Sequence, residues 1–572
     1  METENYFDEN TKKILDSMKM NIDGKLNLIV GVCQKIGLAE VFNKHVTKDV
    51  GRKPDIPYGI IAEMMVANII DGYHPLYKIN EYFIEKDIVG IFHHDMDISQ
   101  ITDDRCGNLL DATFKAGGRN ILSEIALKAF DIYGIKINNF NFDTTSKIMW
   151  GEYESEDKKL GEINITFGHS KQKRNDKKQI KMAIGCSNGV IVDGKVLSGN
   201  KDDKTYNNEN LTEVYEILKS HNVDMNEFHY IADSSAFTEK NLRKTIDEEG
   251  NVKIKIITKM TNTTNLSKEL IAKSIDNENR RKCTLNEGKK NESKYLLLDE
   301  TVDYKGIKLK TVTCYSKELV DTKTKTINRA KEKEKLKVEK KFKKYLSKTN
   351  YFKTEEETIP VFEELEDILK LKFIKIITKI ETIKVPKNGR PSSTDKEDNM
   401  ITKYILKYDL EELKDVIDQT IKKECTFILC SNNLNLTGEE LLIEYKTQIT
   451  VEKKFQQLKS PQFVNSIFLE NPSRVESLMY LLLISMMILS VVENVVRTGM
   501  KENEEEIIGP GKIKMKRPSL IAILGVFEYV AVKRFETNGL TYRMLLHELN
   551  YSQKTILKHL KLDEDIFLKG CY

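Results

Sequence analysis

Asp143, Asp233 and Glu452 are the residues whose surroundings in the sequence best suit carboxylate chemistry. Residues 135–143 alternate apolar and polar side chains, which predicts a strand that delivers Asp143 at its end, just before Thr144, Thr145 and Ser146. Residues 228–233 predict a second short strand, again ending on an acid, Asp233, and again followed by hydroxyl residues, Ser234 and Ser235. Two such strands are a device for bringing carboxylates to one sheet edge. Glu452 lies in residues 443–459, which the periodicity predicts as one helix. Tyr445, Gln448, Glu452 and Lys459 are separated by 3, 4 and 7 residues and fall on one stripe of that helix. Val451, Phe455 and Leu458 form an apolar flank, while Lys446, Lys453 and Lys454 point elsewhere. A half-sunk helix presenting one acid into a polar groove is a candidate metal site. On spacing alone, an ordinary amphipathic helix with a charged outer face is the better reading.

The elements that must position these acids are spread over 572 residues, enough for two to four domains. Charged residues make up 31% and hydrophobic residues 40%, with only 10 Pro, so the composition is that of a folded soluble chain. A net charge of +3 does not argue nucleic-acid binding by itself, so any such contact must come from local clusters. The eight Cys lack a C-x2-C pair, which fits a reduced cytoplasmic setting and excludes a zinc site. The polar, acidic start at residues 1–5 carries no signal peptide. Residues 478–492 form a 15-residue apolar run broken by two Ser. That falls short of the ~20 residues needed to span a bilayer, and predicts a helix buried between layers.

Residues 1–135 predict a helical N-terminal domain, with apolar periodicity over 26–41, 60–70, 79–91, 109–114 and 121–132, and stops at Gly117-Gly118 and Gly134. It suits a DNA-binding module and a packing domain equally. Residues 136–260 change to strand patterns, at 163–167, 180–184 and 252–258, with a helix over 209–221. Residues 261–423 are read as an insertion domain: a hairpin (294–298 with 307–314), a basic helix over 321–348 and a strand-rich piece over 371–385. Residues 323–348 hold 12 Lys/Arg against three Glu, a density suited to phosphate and equally to a solvated helix with i,i+4 pairs. Asn388-Gly389-Arg390-Pro391 could enter a minor groove, although a surface loop is the better reading. Residues 424–500 return to core character, with a strand over 426–430 and then the Glu452 helix. Residues 501–572 are read as a charged linker to 516 and a helical tail, in which 540–549 and 554–562 allow a helix-turn-helix, although a packed C-terminal hairpin is the commoner outcome. No internal repeat, Walker-type phosphate loop or serine elbow is present.

Taken together, the three acids and their contexts resemble the DDE transposases of bacterial insertion sequences. Within these, they resemble the branch with a Y-x2-R-x3-E-x6-K signature and most closely insertion-sequence family 1634. Tyr445, Glu452 and Lys459 match that signature, whereas Gln448 stands at its Arg position. Asn141-Phe142-Asp143-Thr144-Thr145 resembles the Asp-Thr-Thr motif. Gly168-His169-Ser170-Lys171 with Arg174, Asp176, Lys178 and Gln179 resembles a second block, with Asn175 where Pro is usual. Gly199-Asn200 with Asp203-Lys204 resembles a third, and Ile231-Ala232-Asp233 the strand of the second acid.

The resemblance implies an α/β, ribonuclease-H-like (retroviral-integrase-like) core interrupted by a large insertion, with helical N- and C-terminal regions. It implies cleavage of DNA at element ends and strand transfer into target DNA, with two Mg²⁺ ions, or Mn²⁺ in their place, held by Asp143, Asp233 and Glu452. Shared carboxylates suit such ions because Mg²⁺ takes hard oxygen ligands and few protein groups. Tyr445, Gln448, Lys459, His169, Lys171 and Arg174 are the implied DNA contacts. The implied partners are double-stranded terminal inverted repeats and target DNA, engaged by a homodimer, in a bacterial cytoplasm at the nucleoid. Two other readings stay open: a catalytically idle DNA-binding descendant, and a ribonuclease-H-like nuclease unrelated to transposition.

Overall fold

The structure, a computed structural model, describes residues 8–46, 54–153, 163–220, 223–346, 352–361, 363, 370–387, 400–459, 467 and 469–569. The Asn388-Gly389-Arg390-Pro391 turn and residues 1–5 lie outside them. The chain is mixed α/β, built around a large mixed sheet. The N-terminal part supplies β1 (Lys19–Asn21) and the helices α1 (Gly24–Ile36), α2 (Leu38–His45), α3 (Tyr58–Ile70), α4 (Asp103–Ala116) and α5 (Gly118–Tyr133). Residues 79–91, expected as one helix, form two short ones, Ile79–Phe83 and Ile88–Phe92, because the Asp87 carboxylate caps the second through the Gly90 amide.

The main sheet contains β2 (Asn139–Ile148), β3 (Gln179–Ser187), β4 (Val190–Ser198), β5 (His229–Ala232), β6 (Lys255–Lys259), β7 (Arg281–Leu285), β8 (Ser293–Tyr304) and β9 (Ile307–Ser316). A separate exposed ribbon pairs β10 (Ile374–Pro386) with β11 (Met400–Glu412), and β12 (Thr426–Ser431) returns to the main sheet. The nine strands run in the order β4-β3-β2-β5-β6-β12-β9-β8-β7. β2, β5 and β6 are mutually parallel, and the remaining pairs are antiparallel. The hairpin expected inside an insertion therefore continues the sheet, since β12 pairs with β6 on one side and β9 on the other.

Two helices bracket the sheet's first strands: α6 (Asp203–Ser220) and, farther on, the 31-residue α10 (Pro472–Glu502). Between them in sequence come α7 (Val320–Leu346), α8 (Gly438–Lys446) and α9 (Ile449–Lys459). α10 is the one helix among the described residues long and apolar enough to cross a membrane, and 94% of its apolar window is buried inside the protein. It packs against β4, α3, α4 and α5. Arg474 forks onto Asp111 of α4 at 2.8 and 2.7 Å, and the Ser477 hydroxyl donates to the Leu110 carbonyl. Tyr480 lies so close to Gly118 that a Cβ there would stand 2.4 Å from its ring. Arg119 of α5 donates to both oxygens of Asp193 on β4 and to Glu213 of α6, fastening the helical layer to the sheet.

Several expectations fail for local reasons. β2 runs past Asp143, which sits mid-strand, because β3 keeps pairing through Ile148. Residues 163–167 form only an isolated bridge, Thr166 with Gln179, and β4 was not foreseen. The predicted linker at 501–516 contains a small strand pair, β13 (Ile507–Ile508) with β14 (Lys514–Met515). The helix-turn-helix that 540–562 allowed does not form: β15 (Val532–Thr537) and β16 (Leu540–Leu545) make a hairpin that pairs with β1, followed by α11 (Tyr551–His559). The reason is the two-residue turn Asn538-Gly539, with φ of 52° and 76°, the left-handed pair that a tight hairpin demands. Arg543 of that hairpin is buried against Asp87, so the C-terminal region is joined to the N-terminal helices.

Candidate active site

Pairing β2 with β5 in parallel matches Phe142 with Ala232, so the next residues are Asp143, within β2, and Asp233, which leaves β5 to cap the short turn Ser234–Ala236. Asp143 is recessed, with 22% of its side chain exposed. Burial raises its proton affinity above the ordinary range, Lys171 opposes that, and the Asp233 charge adds to it. Its Oδ1 accepts from the Thr144 amide at 2.7 Å and from the Lys171 ammonium at 3.0 Å. Asp233 Oδ1 accepts from the Ser235 amide and hydroxyl, at 2.9 and 2.5 Å, and the Asn207 amide in turn donates to Ser235.

The 443–459 stretch is not one helix. It divides into α8 and α9 at Thr447-Gln448, where the Thr447 and Gln448 amides bond to the carbonyls three residues back, Glu444 and Tyr445. Thr447 causes part of this, because its hydroxyl lies 2.6 Å from the Glu444 carbonyl and 2.7 Å from Asn141 Oδ1 of β2. Gln448 supplies the rest. Only 7% exposed, it donates from Nε2 to the Phe142 carbonyl at 2.7 Å, one residue before Asp143. Gln448 thus ties α9 to the acid-bearing strand and does not face outward as a DNA contact would. Val451, Phe455 and Leu458 are buried as expected, but so is Lys454.

Tyr445 and Lys459 both come to the acids. Burial raises the Tyr445 phenol, as do the charges of Asp233, Glu452 and Asp143. Burial lowers Lys459, reinforced by Lys171 and opposed by Asp143. Glu452 itself is exposed. Lys171 is set by close packing: a Cβ on Gly168 would stand 2.3 Å from the Gly199 carbonyl, and the buried Gln179 amide donates to that same carbonyl at 2.8 Å. The second and third sequence blocks therefore meet, and Lys171 also lies 3.8 Å from Asp203. Lys181, overlooked in the sequence, holds Asp203 at 2.9 Å; its signal was a lone Lys between Ile180 and Met182. Arg174 is not brought to the site, since it forks onto Asp176 at 2.8 Å and lies over Trp150. His169 is exposed, and only its carbonyl is bonded, to Gln179.

Among the described residues no three His, Cys, Asp or Glu side chains are gathered closely enough to enclose an ion. What is gathered is the Asp143 and Asp233 pair, with the Lys171 ammonium as its cation. The donor chemistry fits Mg²⁺: hard carboxylate oxygens whose mutual repulsion a divalent charge would relieve.

Residues 17–127 match a family described as a domain of unknown function, DUF4277. No curated protein matches the chain. Among solved structures, the chain is similar to a piggyBac transposase in a synaptic complex with hairpin DNA, at 10% identity and a TM-score of 0.37, over 88% of this chain and 80% of that one.

Proposed function

We propose that the chain is a DDE-type DNA transposase, cutting double-stranded DNA at the inverted repeats of its element and joining the ends to target DNA. The observation that carries this reading is the in-register pair Asp143 and Asp233, with the Glu452 helix bonded to the same strand through Gln448 and Thr447. Asp143, Asp233 and Glu452 would hold Mg²⁺ or Mn²⁺, which when bound supplies activation of the attacking oxygen and charge stabilisation at the leaving one. Lys459 and Tyr445 would orient the phosphate of the cut strand, and Lys171, freed from Asp143, would gain a phosphate oxygen in exchange. A homodimer on paired ends and a bacterial cytoplasmic setting belong to the same proposal.

The test is cleavage of end-bearing DNA by the full chain. Asp143→Asn and Glu452→Gln are each expected to abolish Mg²⁺-dependent cutting, and undiminished cutting by either overturns the reading. One observation favours a second reading, an idle DNA-binding descendant: Lys171 is held on Asp143, and three acids are not gathered. Binding of element ends without any cutting in Mg²⁺ or Mn²⁺ would decide for it.

A further inference from the structure

Behind α9, on the face turned away from Glu452, lies an open groove of about 1420 Å³, bounded by α9, the C-terminal half of α10 and residues 516–521. Thr450, Lys453, Lys454 and Gln457 line it from α9. At 100° per residue these four span about 100°, centred roughly 150° from Glu452. The helix that carries the third acid therefore has a second polar face.

One atom in this groove lacks what burial normally requires: the Thr450 hydroxyl is buried and unpartnered. Beside it Lys454 lines the groove with its stem sunk in the protein, the residue being 7% exposed. Burial lowers the proton affinity of Lys454, and Glu493 opposes that. Of the acids on the groove, Glu493 is taken by Arg497 at 2.8 Å and by the Leu520 amide, and Glu505 by Lys558 and His559; with Glu502 and Glu504 the lining carries four acids against seven Lys and Arg. Lys453, Lys516 and Arg517 add three further cations around the opening. A groove larger than the ~300–1,000 Å³ of small-ligand pockets, open along its length and edged by spaced cations, suits an extended polyanion.

We propose that this groove is a second phosphate-backbone site for DNA, on the opposite face of α9 from Glu452, with a phosphate seated at Lys454 and Thr450 and its neighbours at Lys453, Lys516 and Arg517. The proposal rests on the reading of the chain as acting on DNA, and extends it: one helix would be gripped by DNA on both sides, at the acids and behind them.

The test is binding of the full chain to a duplex of about 30 base pairs, in EDTA so that no chemistry occurs, over a range of salt. Lys454→Met with Arg517→Ala is expected to weaken binding roughly tenfold and to make the slope of log affinity against log salt shallower by about 2. Lys454→Met alone is expected to melt within a few degrees of the parent, because Met replaces the buried stem with an apolar chain of similar reach; this separates lost binding from lost folding. A parent that binds with affinity and slope unchanged in the double variant overturns the groove and leaves the DNA reading standing. Loss of inorganic pyrophosphate binding with duplex binding intact also overturns it, in favour of a small-anion site. A parent that binds no duplex at all overturns the DNA reading, and the groove with it.

Discussion

Asp143 and Glu63 are both carboxyl groups drawn into the protein, and burial raises the proton affinity of each, but what faces them differs. Asp143 keeps 22% of its side chain exposed, has Lys171 against it and Asp233 beside it. Glu63, in α3, is fully buried, and burial pushes it up to about 8, offset only in part by the Ala39 backbone. A recessed acid that retains a cation stays available for charge chemistry. A sealed acid is neutral at ordinary pH and serves as a polar filler between α2 and α3.

The largest effect expected from breaking this contrast is at Asp143. Asp143→Asn should lower end cleavage on the order of 10³-fold or more while leaving the melting temperature within a few degrees, as followed by gel assay and calorimetry. Next is Glu63. Its folded proton affinity is raised from 4.5 to about 8, so its stabilising contribution is complete below about 4.5 and lost as pH climbs through about 8. Glu63→Gln should abolish that decline, making the variant more stable than the parent at alkaline pH by on the order of 3–5 kcal/mol, measured by denaturant unfolding across the pH range. A parent with stability flat over that interval would contradict the account of Glu63.

Gln448→Arg restores the signature residue but forces a guanidinium into a buried position now bonded to Phe142. It should destabilise by about 2–4 kcal/mol and lower cleavage, and an active, equally stable variant would mean that α9 does not depend on this tie. Lys171→Met takes away the cation that distinguishes Asp143 from Glu63. Mn²⁺ titration of the DNA-free chain should then show severalfold tighter binding, because no ammonium competes for Asp143. Smallest of all, Arg174→Ala should leave cleavage and DNA binding within about twofold, since its exposed fork to Asp176 contributes little.

The strand leading to Asp143 was legible because residues 135–143 alternate apolar and polar side chains, and the one leading to Asp233 because 228–232 is a short apolar-rich run that ends on an acid. Gln448 was misread because a helical stripe says which residues share a face, not whether that face meets solvent or a strand. The helix break had its signal in Thr447, whose hydroxyl competes for a backbone carbonyl, but the decisive partner, Asn141, is distant in sequence. Lys454 sits between Val451 and Phe455 and Leu458 at core spacing, so its burial was readable by position and hidden by its charge. The hairpin at Asn538-Gly539 was the plainest miss: Asn-Gly between alternating runs is a strong local turn signal, and Leu-rich 540–549 drew the reading toward a helix.

The position of α10 has a consequence for how the protein is made. Helices α3, α4 and α5 are complete by residue 133, yet the helix that covers their apolar faces begins at Pro472. At ribosomal rates of ~5–20 residues per second, that partner emerges roughly tens of seconds later. Nascent chains arrested before residue 472 should be cleaved within 58–133 by a protease that spares the finished protein. Until residues 472–502 arrive, the chain presents a half-built, greasy surface to its surroundings, and its yield should depend on chaperones that shield it.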